Sequence, residues 1–182
     1  MHSLWLTPEQ AELLIAYARA GQPNEVCGVL GGSAQGAVKL ILPVANIAAQ
    51  PATTYYMDER ELIEALHAVA EADMELLGFY HSHPRGHAIP SPTDIRSANY
   101  PDTTTLIIGL GARKPELAAW NIRPGQVDRV ELVISLSEPV PPLSAPGRAQ
   151  TAALFTTAAI ALILLLVISL TLLPPAPPLP NP

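Results

Sequence analysis

The first periodic stretch of the chain begins at Thr7. Thr-Pro-Glu-Gln there supplies an N-cap threonine, a proline at the first helical position and a glutamine able to reach back. Leu13, Leu14 and Tyr17 repeat at helical spacing, and Gly21 ends the helix they predict. Residues 26–30 and 38–44 are apolar and β-branched, two strands joined by a glycine-rich turn. Leu62, Ile63, Leu66 and Val69 mark a second amphipathic helix over residues 61–71. Then come a strand over 76–81, a short helix over 92–99 and a strand over 104–108. Residues 117–122 and 127–134 are expected to pair as a closing hairpin across Arg-Pro-Gly. Strands interrupted by helices in this order predict an α/β or α+β sandwich around one mixed sheet.

The pattern changes character after Arg148, the last charged residue. Residues 138–151 are proline-rich, which predicts an extended, stiff linker. Residues 152–173 are apolar apart from hydroxyls, long enough to cross a hydrocarbon core of ~30 Å, and are expected to form a transmembrane helix. Residues 174–182 form a proline-rich tail. The expected plan is a folded domain over 1–137, then linker, anchor and tail. The first residues carry neither a basic nor an apolar leader region, and Arg148 lies on the domain side of the apolar run. A single-pass membrane protein with its domain on the cytoplasmic side follows as the expectation.

Composition narrows the chemistry. Ten Lys and Arg against sixteen Asp and Glu, a formal charge of −6, provide no basic footprint for a phosphate backbone, so no nucleic-acid partner is expected. A single cysteine rules out an internal disulfide framework and a cysteine-rich zinc site.

Three of the five histidines fall within "YHSHPRGHAIPSPTD". His81 and His83 are two apart at the end of a strand, so both imidazoles face one side. Pro84 stops the ladder, and Gly86 and Pro90 turn the chain toward Ser91-Pro92-Thr93-Asp94. That tetrapeptide is a second helix start, with Ser91 as cap and Asp94 in the first turn. Two imidazoles and a carboxylate brought together are three protein ligands, as in catalytic zinc sites, and equally the set used by non-haem iron oxygenases.

Glu25 in "NEVCGVLGG", then His-Ser-His-Pro, six residues, and Ser-x-x-Asp resembles the signature of the JAMM (MPN-plus) metalloproteases in order and spacing. The resemblance covers roughly residues 6–134. It implies a JAMM/MPN-like, cytidine-deaminase-like sandwich with a mixed curved sheet flanked by helices. It also implies zinc held by His81, His83 and Asp94, Glu25 as general base and Ser91 as oxyanion donor. Glu25 is assigned by the resemblance alone, because nothing local brings it to the histidines. The implied activity is hydrolysis of peptide or isopeptide bonds at the flexible C-terminal tail of a ubiquitin-like or sulfur-carrier protein. Two other classes stay open: a membrane-tethered binding module without catalysis, and the iron oxygenase, which metal analysis would separate. His87 has no role in the signature and is expected on the loop rim in water. Cys27, between apolar neighbours, is expected to be a buried, inert thiol.

Overall fold

The computed structural model describes residues 3–138 and 148–171. The chain divides into two units, Met1–Pro139 and Val140–Pro182.

The first unit begins with a strand the apolar pattern did not reveal, β1 (Ser3–Leu6). It is only four residues long, and its partner comes from the far end of the unit. Helix α1 (Pro8–Ala20) starts as expected: Thr7 Oγ1 accepts the Gln10 N–H at 3.1 Å, and the Gln10 side chain accepts the Thr7 N–H at 2.9 Å. Its buried stripe is Ala11, Leu14 and Ala18, while Leu13 points to solvent. The i, i+3, i+7 spacing of that stripe decides which leucine goes inside.

Strands β2 (Cys27–Gly32) and β3 (Val38–Val44) form an antiparallel pair. Helix α2 (Glu59–Glu71) begins two residues before the expected point, because Asp58 caps it by accepting the Arg60 and Glu61 N–H groups. Strand β4 (Glu75–His83) follows, then α3 (Pro92–Arg96), which is shorter than the expected helix over 92–99. β5 (Thr104–Gly109), β6 (Glu116–Arg123) and β7 (Gln126–Ile134) complete the unit, the last two paired antiparallel as expected.

The seven strands lie in the order β1-β7-β6-β5-β4-β2-β3. β4–β5 and β1–β7 are parallel and the remaining pairs antiparallel, so the sheet is mixed. It curls until its two edges touch: Trp5 bridges to Ala37, and the Trp5 N–H donates to the Gly36 carbonyl at 2.9 Å. This is an α+β fold with a mixed, nearly closed sheet.

β4 sits between β2 and β5, and is buried from Leu77 to His83. Leu14, Leu30, Tyr80, Leu106 and Ile108 belong to the larger core. Val29, Val44, Ala65, Val69 and Phe79 form a second cluster under α2. At roughly 1.5–3 kcal/mol per fully buried aliphatic or aromatic side chain, these two clusters hold β4 from both faces and fix what its end presents.

The expected membrane span is corrected. Helix α4 (Arg148–Thr171) covers most of that segment, and it begins inside the expected linker. Among the described residues, no helix is long and apolar enough to cross a membrane. A span needs about 20 consecutive apolar residues to match the hydrocarbon thickness, and no described helix meets that requirement. The transmembrane helix, the membrane partner and the cytoplasmic-face location built on them are therefore withdrawn. The rest of the expected linker, 139–147, and the expected tail lie outside the described residues.

Candidate active site

β4 ends in His81-Ser82-His83, and strand alternation sends the two imidazoles to one face and Ser82 to the other. The two Nε2 atoms are 3.1 Å apart. Asp94 faces them from the first turn of α3, with Oδ1 3.5 Å from His81 Nε2 and Oδ2 3.3 Å from His83 Nε2. A ligand atom from each of the three residues lies within 4.8 Å of the others, and all three are buried.

Local structure explains how each arrives. Asp94 is the third residue of α3 and closes a capping box: its N–H donates to Ser91 Oγ at 3.1 Å, and its Oδ2 accepts the Ser91 N–H at 2.6 Å. The carboxylate is thus aimed by the helix start itself. Residues 84–90, which connect the histidines to that start, lie flat against the end of β5. The Leu110 N–H donates to the His83 carbonyl at 3.0 Å, and Trp120 Nε1 donates to the Ala88 carbonyl at 2.9 Å. A Cβ on Gly109 would stand 2.4 Å from the Ala88 nitrogen, so only glycine allows this approach.

The loop returns a favour to the histidines. The His87 carbonyl accepts from His83 Nδ1–H at 2.9 Å, which orients the ring with Nε2 facing Asp94. The His87 side chain is on the rim, 63% exposed, and paired with Glu116 at 3.0 Å. His87 therefore acts on the site through its main chain, which a reading of side-chain types does not reveal.

Charge distribution follows burial. His81 is fully buried, and burial lowers its pKa below the ordinary value, against the pull of Asp94. His83 is also lowered by burial, but the Asp94 carboxylate and the His87 carbonyl together raise it above the ordinary value. Burial would raise Asp94; hydrogen bonds from both imidazoles and the Ser91 N–H hold it well below the usual carboxylate range.

Glu25 stands just before β2, 6% exposed. Its N–H donates to the Pro51 carbonyl at 2.6 Å. The next residue is tied to β4 twice: the Val26 N–H donates to Ser82 Oγ at 2.9 Å, and the Ser82 N–H donates to the Val26 carbonyl at 2.9 Å. The serine between the two histidines is thus the residue that ties Glu25 to them. Burial pushes the Glu25 carboxyl up to about 7, His83 opposes that rise and Asp94 adds to it, so the carboxyl lies within electrostatic reach of both. Glu25 Oε2 is buried without a hydrogen-bond partner among the described residues. Ser91 Oγ accepts from Asp94, leaving its own hydrogen free to donate toward a ligand.

Two contributors are absent from the sequence reading. The Tyr55 ring stacks on His81, with centroids 4.5 Å apart and planes at 23°. Asn46 donates to the Glu25 carbonyl at 2.8 Å. Neither carries a local signal, since both reach the site from the irregular segment before α2. Beside Asp94 opens a cleft of about 790 Å³ between α2 and α3, lined by Tyr55, Leu62, Leu66, Phe79 and Tyr100 among others. Cys27 is wholly buried, its thiol donates to the Val44 carbonyl at 3.4 Å, and burial pushes its pKa up to about 12, so it supplies no thiolate.

Two imidazoles and a carboxylate, mutually close and screened from water, fit a small divalent metal ion. A buried carboxylate oxygen with no partner beside them suits a water held on such an ion. Residues 8–123 match the family described as prokaryotic homologs of the JAB domain. The chain belongs to that family. Among JAB-family relatives, the desampylase of Haloferax volcanii is 38% identical over 109 residues, covering 57% of this chain and 78% of the relative. The CysO-cysteine peptidase of Mycobacterium tuberculosis is 30% identical over 129 residues, covering 70% of this chain and 88% of the relative. A solution structure of a Desulfitobacterium hafniense protein superposes with a TM-score of 0.68 at 35% identity, over 74% of this chain and 94% of that one.

Proposed function

We propose that this chain is a zinc-dependent metallopeptidase that hydrolyses peptide or isopeptide bonds at the C-terminal tail of a ubiquitin-like or sulfur-carrier protein. The observation that carries the reading is the convergence of His81 Nε2, His83 Nε2 and the Asp94 carboxylate within 4.8 Å, beside a buried Glu25. The substrate class is carried over from the JAB-family relatives named for desampylase and CysO-cysteine peptidase activity.

His81, His83 and Asp94 would hold the ion: His81 kept neutral by burial, His83 presenting Nε2 because Nδ1 is committed to the His87 carbonyl, Asp94 anionic. When bound, zinc supplies Lewis acidity, which brings the pKa of its water to about 7. Glu25 takes a proton from the attacking water at Oε2 and returns it to the leaving amine; its burial raises the carboxyl in the metal-free protein and so favours holding that proton between the two transfers. Ser91 donates its hydroxyl hydrogen to the carbonyl oxygen as negative charge develops there, a contribution of roughly 10²–10³ in rate for one such donor. Its hydroxyl can do so while still capping α3, because the cap uses only a lone pair. The cleft beside Asp94 offers room for an extended tail leading to the scissile bond.

The test is Glu25→Gln. The probe is a ubiquitin-like protein ending in Gly-Gly, joined through that terminus to a lysine peptide. Loss of proton transfer should lower its cleavage by about 10²–10⁴-fold, while zinc content by elemental analysis stays at the wild-type level. Undiminished cleavage would remove Glu25 from the mechanism.

A further inference from the structure

We propose that Asn46 and Tyr55 form a positioning device that couples the general base to the first metal ligand; the inference rests on the peptidase reading above. The two histidines are secured unequally. His83 has its Nδ1–H on the His87 carbonyl, whereas His81 Nδ1 is buried without a partner among the described residues. A ligating imidazole with no hydrogen bond behind it is free to rotate about its terminal torsion, and a rotation of tens of degrees moves Nε2 off the ion. The Tyr55 ring takes the place of that bond. Stacked at 4.5 Å and 23°, it restricts the plane in which His81 lies.

Tyr55 itself belongs to a segment with no helix or strand of its own, apart from the single bridge between Asn46 and Met57. Its placement comes from the Asn46 amide, which brackets it on both sides. Asn46 Nδ2 donates to the Thr54 carbonyl at 3.1 Å, and Asn46 Oδ1 accepts the Tyr56 N–H at 3.0 Å. The remaining two positions are also filled: Nδ2 donates to the Glu25 carbonyl at 2.8 Å, and Oδ1 accepts the Ala48 N–H at 3.1 Å. All four hydrogen-bonding positions of one carboxamide are thus used. One side chain therefore holds the main chain of Glu25 and the flanks of the ring that steadies His81. Aspartate at this position would keep the two acceptor bonds and lose the two donor bonds, releasing Glu25 and Thr54 together.

Zinc affinity of the full chain, by competition with a chromophoric chelator, and steady-state cleavage of a Gly-Gly isopeptide probe at saturating zinc are the two readouts. Tyr55→Leu removes the aromatic face and should weaken zinc binding by about 10–100-fold, the range for losing an outer partner of a ligand. Tyr55→Phe keeps the face and should keep the affinity, which a hydroxyl-dependent role would not produce. Asn46→Asp should weaken zinc binding and, with zinc saturating, lower kcat more than it changes KM, because Glu25 is loosened. Amide spectra of each variant establish that the sheet is intact. Wild type that neither binds zinc nor cleaves the probe would overturn the peptidase reading and this inference with it. Wild type that does both, with Tyr55→Leu and Asn46→Asp unaltered, would overturn the inference alone, as would Tyr55→Phe losing as much affinity as Tyr55→Leu.

Discussion

Glu25 is held in surroundings that work against its own ionisation. Burial raises its carboxyl from 4.5 to about 7, so between those values the folded, metal-free protein binds a proton that the unfolded chain has released. Stability contributed by this group is therefore lost as pH rises through that window, the reverse of a carboxylate in a salt bridge. The full shift corresponds to about 3 kcal/mol at most, spread over the whole window. Glutamine cannot ionise and escapes this penalty. Chemical unfolding of the metal-free protein at a series of pH values should show wild type losing stability relative to Glu25→Gln from about pH 4.5 upward, with the gap level beyond about pH 7. Parallel curves for the two proteins would mean that the carboxyl is not buried as described. The same variant that removes activity is thus expected to stabilise the metal-free fold, as when a functional group is kept at some cost in stability.

At the scale of elements, β4 carries the site because its alternation serves two purposes. His81 and His83 go to the face turned toward Asp94, and Ser82 goes to the other, where its hydroxyl accepts the buried Val26 N–H. Ser82→Ala leaves that N–H without its side-chain partner, which costs roughly 1–3 kcal/mol, and frees the chain next to Glu25. We expect a lower unfolding midpoint and reduced kcat with zinc affinity retained, since neither histidine has been touched; thermal denaturation and chelator competition read the two effects separately. Equal losses of kcat and zinc affinity would show that Ser82 supports the histidines and not Glu25. This division also marks what could be read from the chain. The starts of α1 and α3 were legible because Thr7, Pro8 and Gln10, and Ser91, Pro92 and Asp94, act within one turn. The β6–β7 hairpin was legible because its partners are neighbours in sequence. β1 was not, because four residues carry little pattern and pair with a strand at the far end of the unit. Asn46 and Tyr55 stayed hidden for the same reason: their partners are distant in sequence, and a lone amide or phenol in a loop has no spacing to betray it.

On the scale of the whole molecule, the candidate site belongs to no single element. Glu25 precedes β2, the histidines end β4, Asp94 opens α3, and Asn46 and Tyr55 arrive from the segment before α2. The apolar run near the other end of the chain shows the converse hazard: composition alone suggested a span that the described helix does not support. The three ligands are near one another in sequence but converge only when α3 docks beside β4, so an ion bound there stabilises the folded state far more than the unfolded chain. The increment is RT ln(1 + [Zn]/Kd), about 4 kcal/mol at a thousandfold excess over Kd. Its pH dependence follows from the ligands. Asp94, held well below the usual range, does not compete with protons near neutrality. His83 does, because its pKa is raised above the ordinary value and the proton must leave before the nitrogen can ligate. Zinc stabilisation should therefore be small at about pH 5.5, grow as pH rises through the His83 pKa, and level off above it. Melting curves of the full chain with zinc and with chelator, at about pH 5.5 and about pH 8, test this: the zinc-dependent shift should be clearly larger at the higher pH. His81→Ala should abolish the shift at both. A zinc effect of equal size at the two pH values, or one that survives loss of His81, would place the bound ion somewhere other than between β4 and α3.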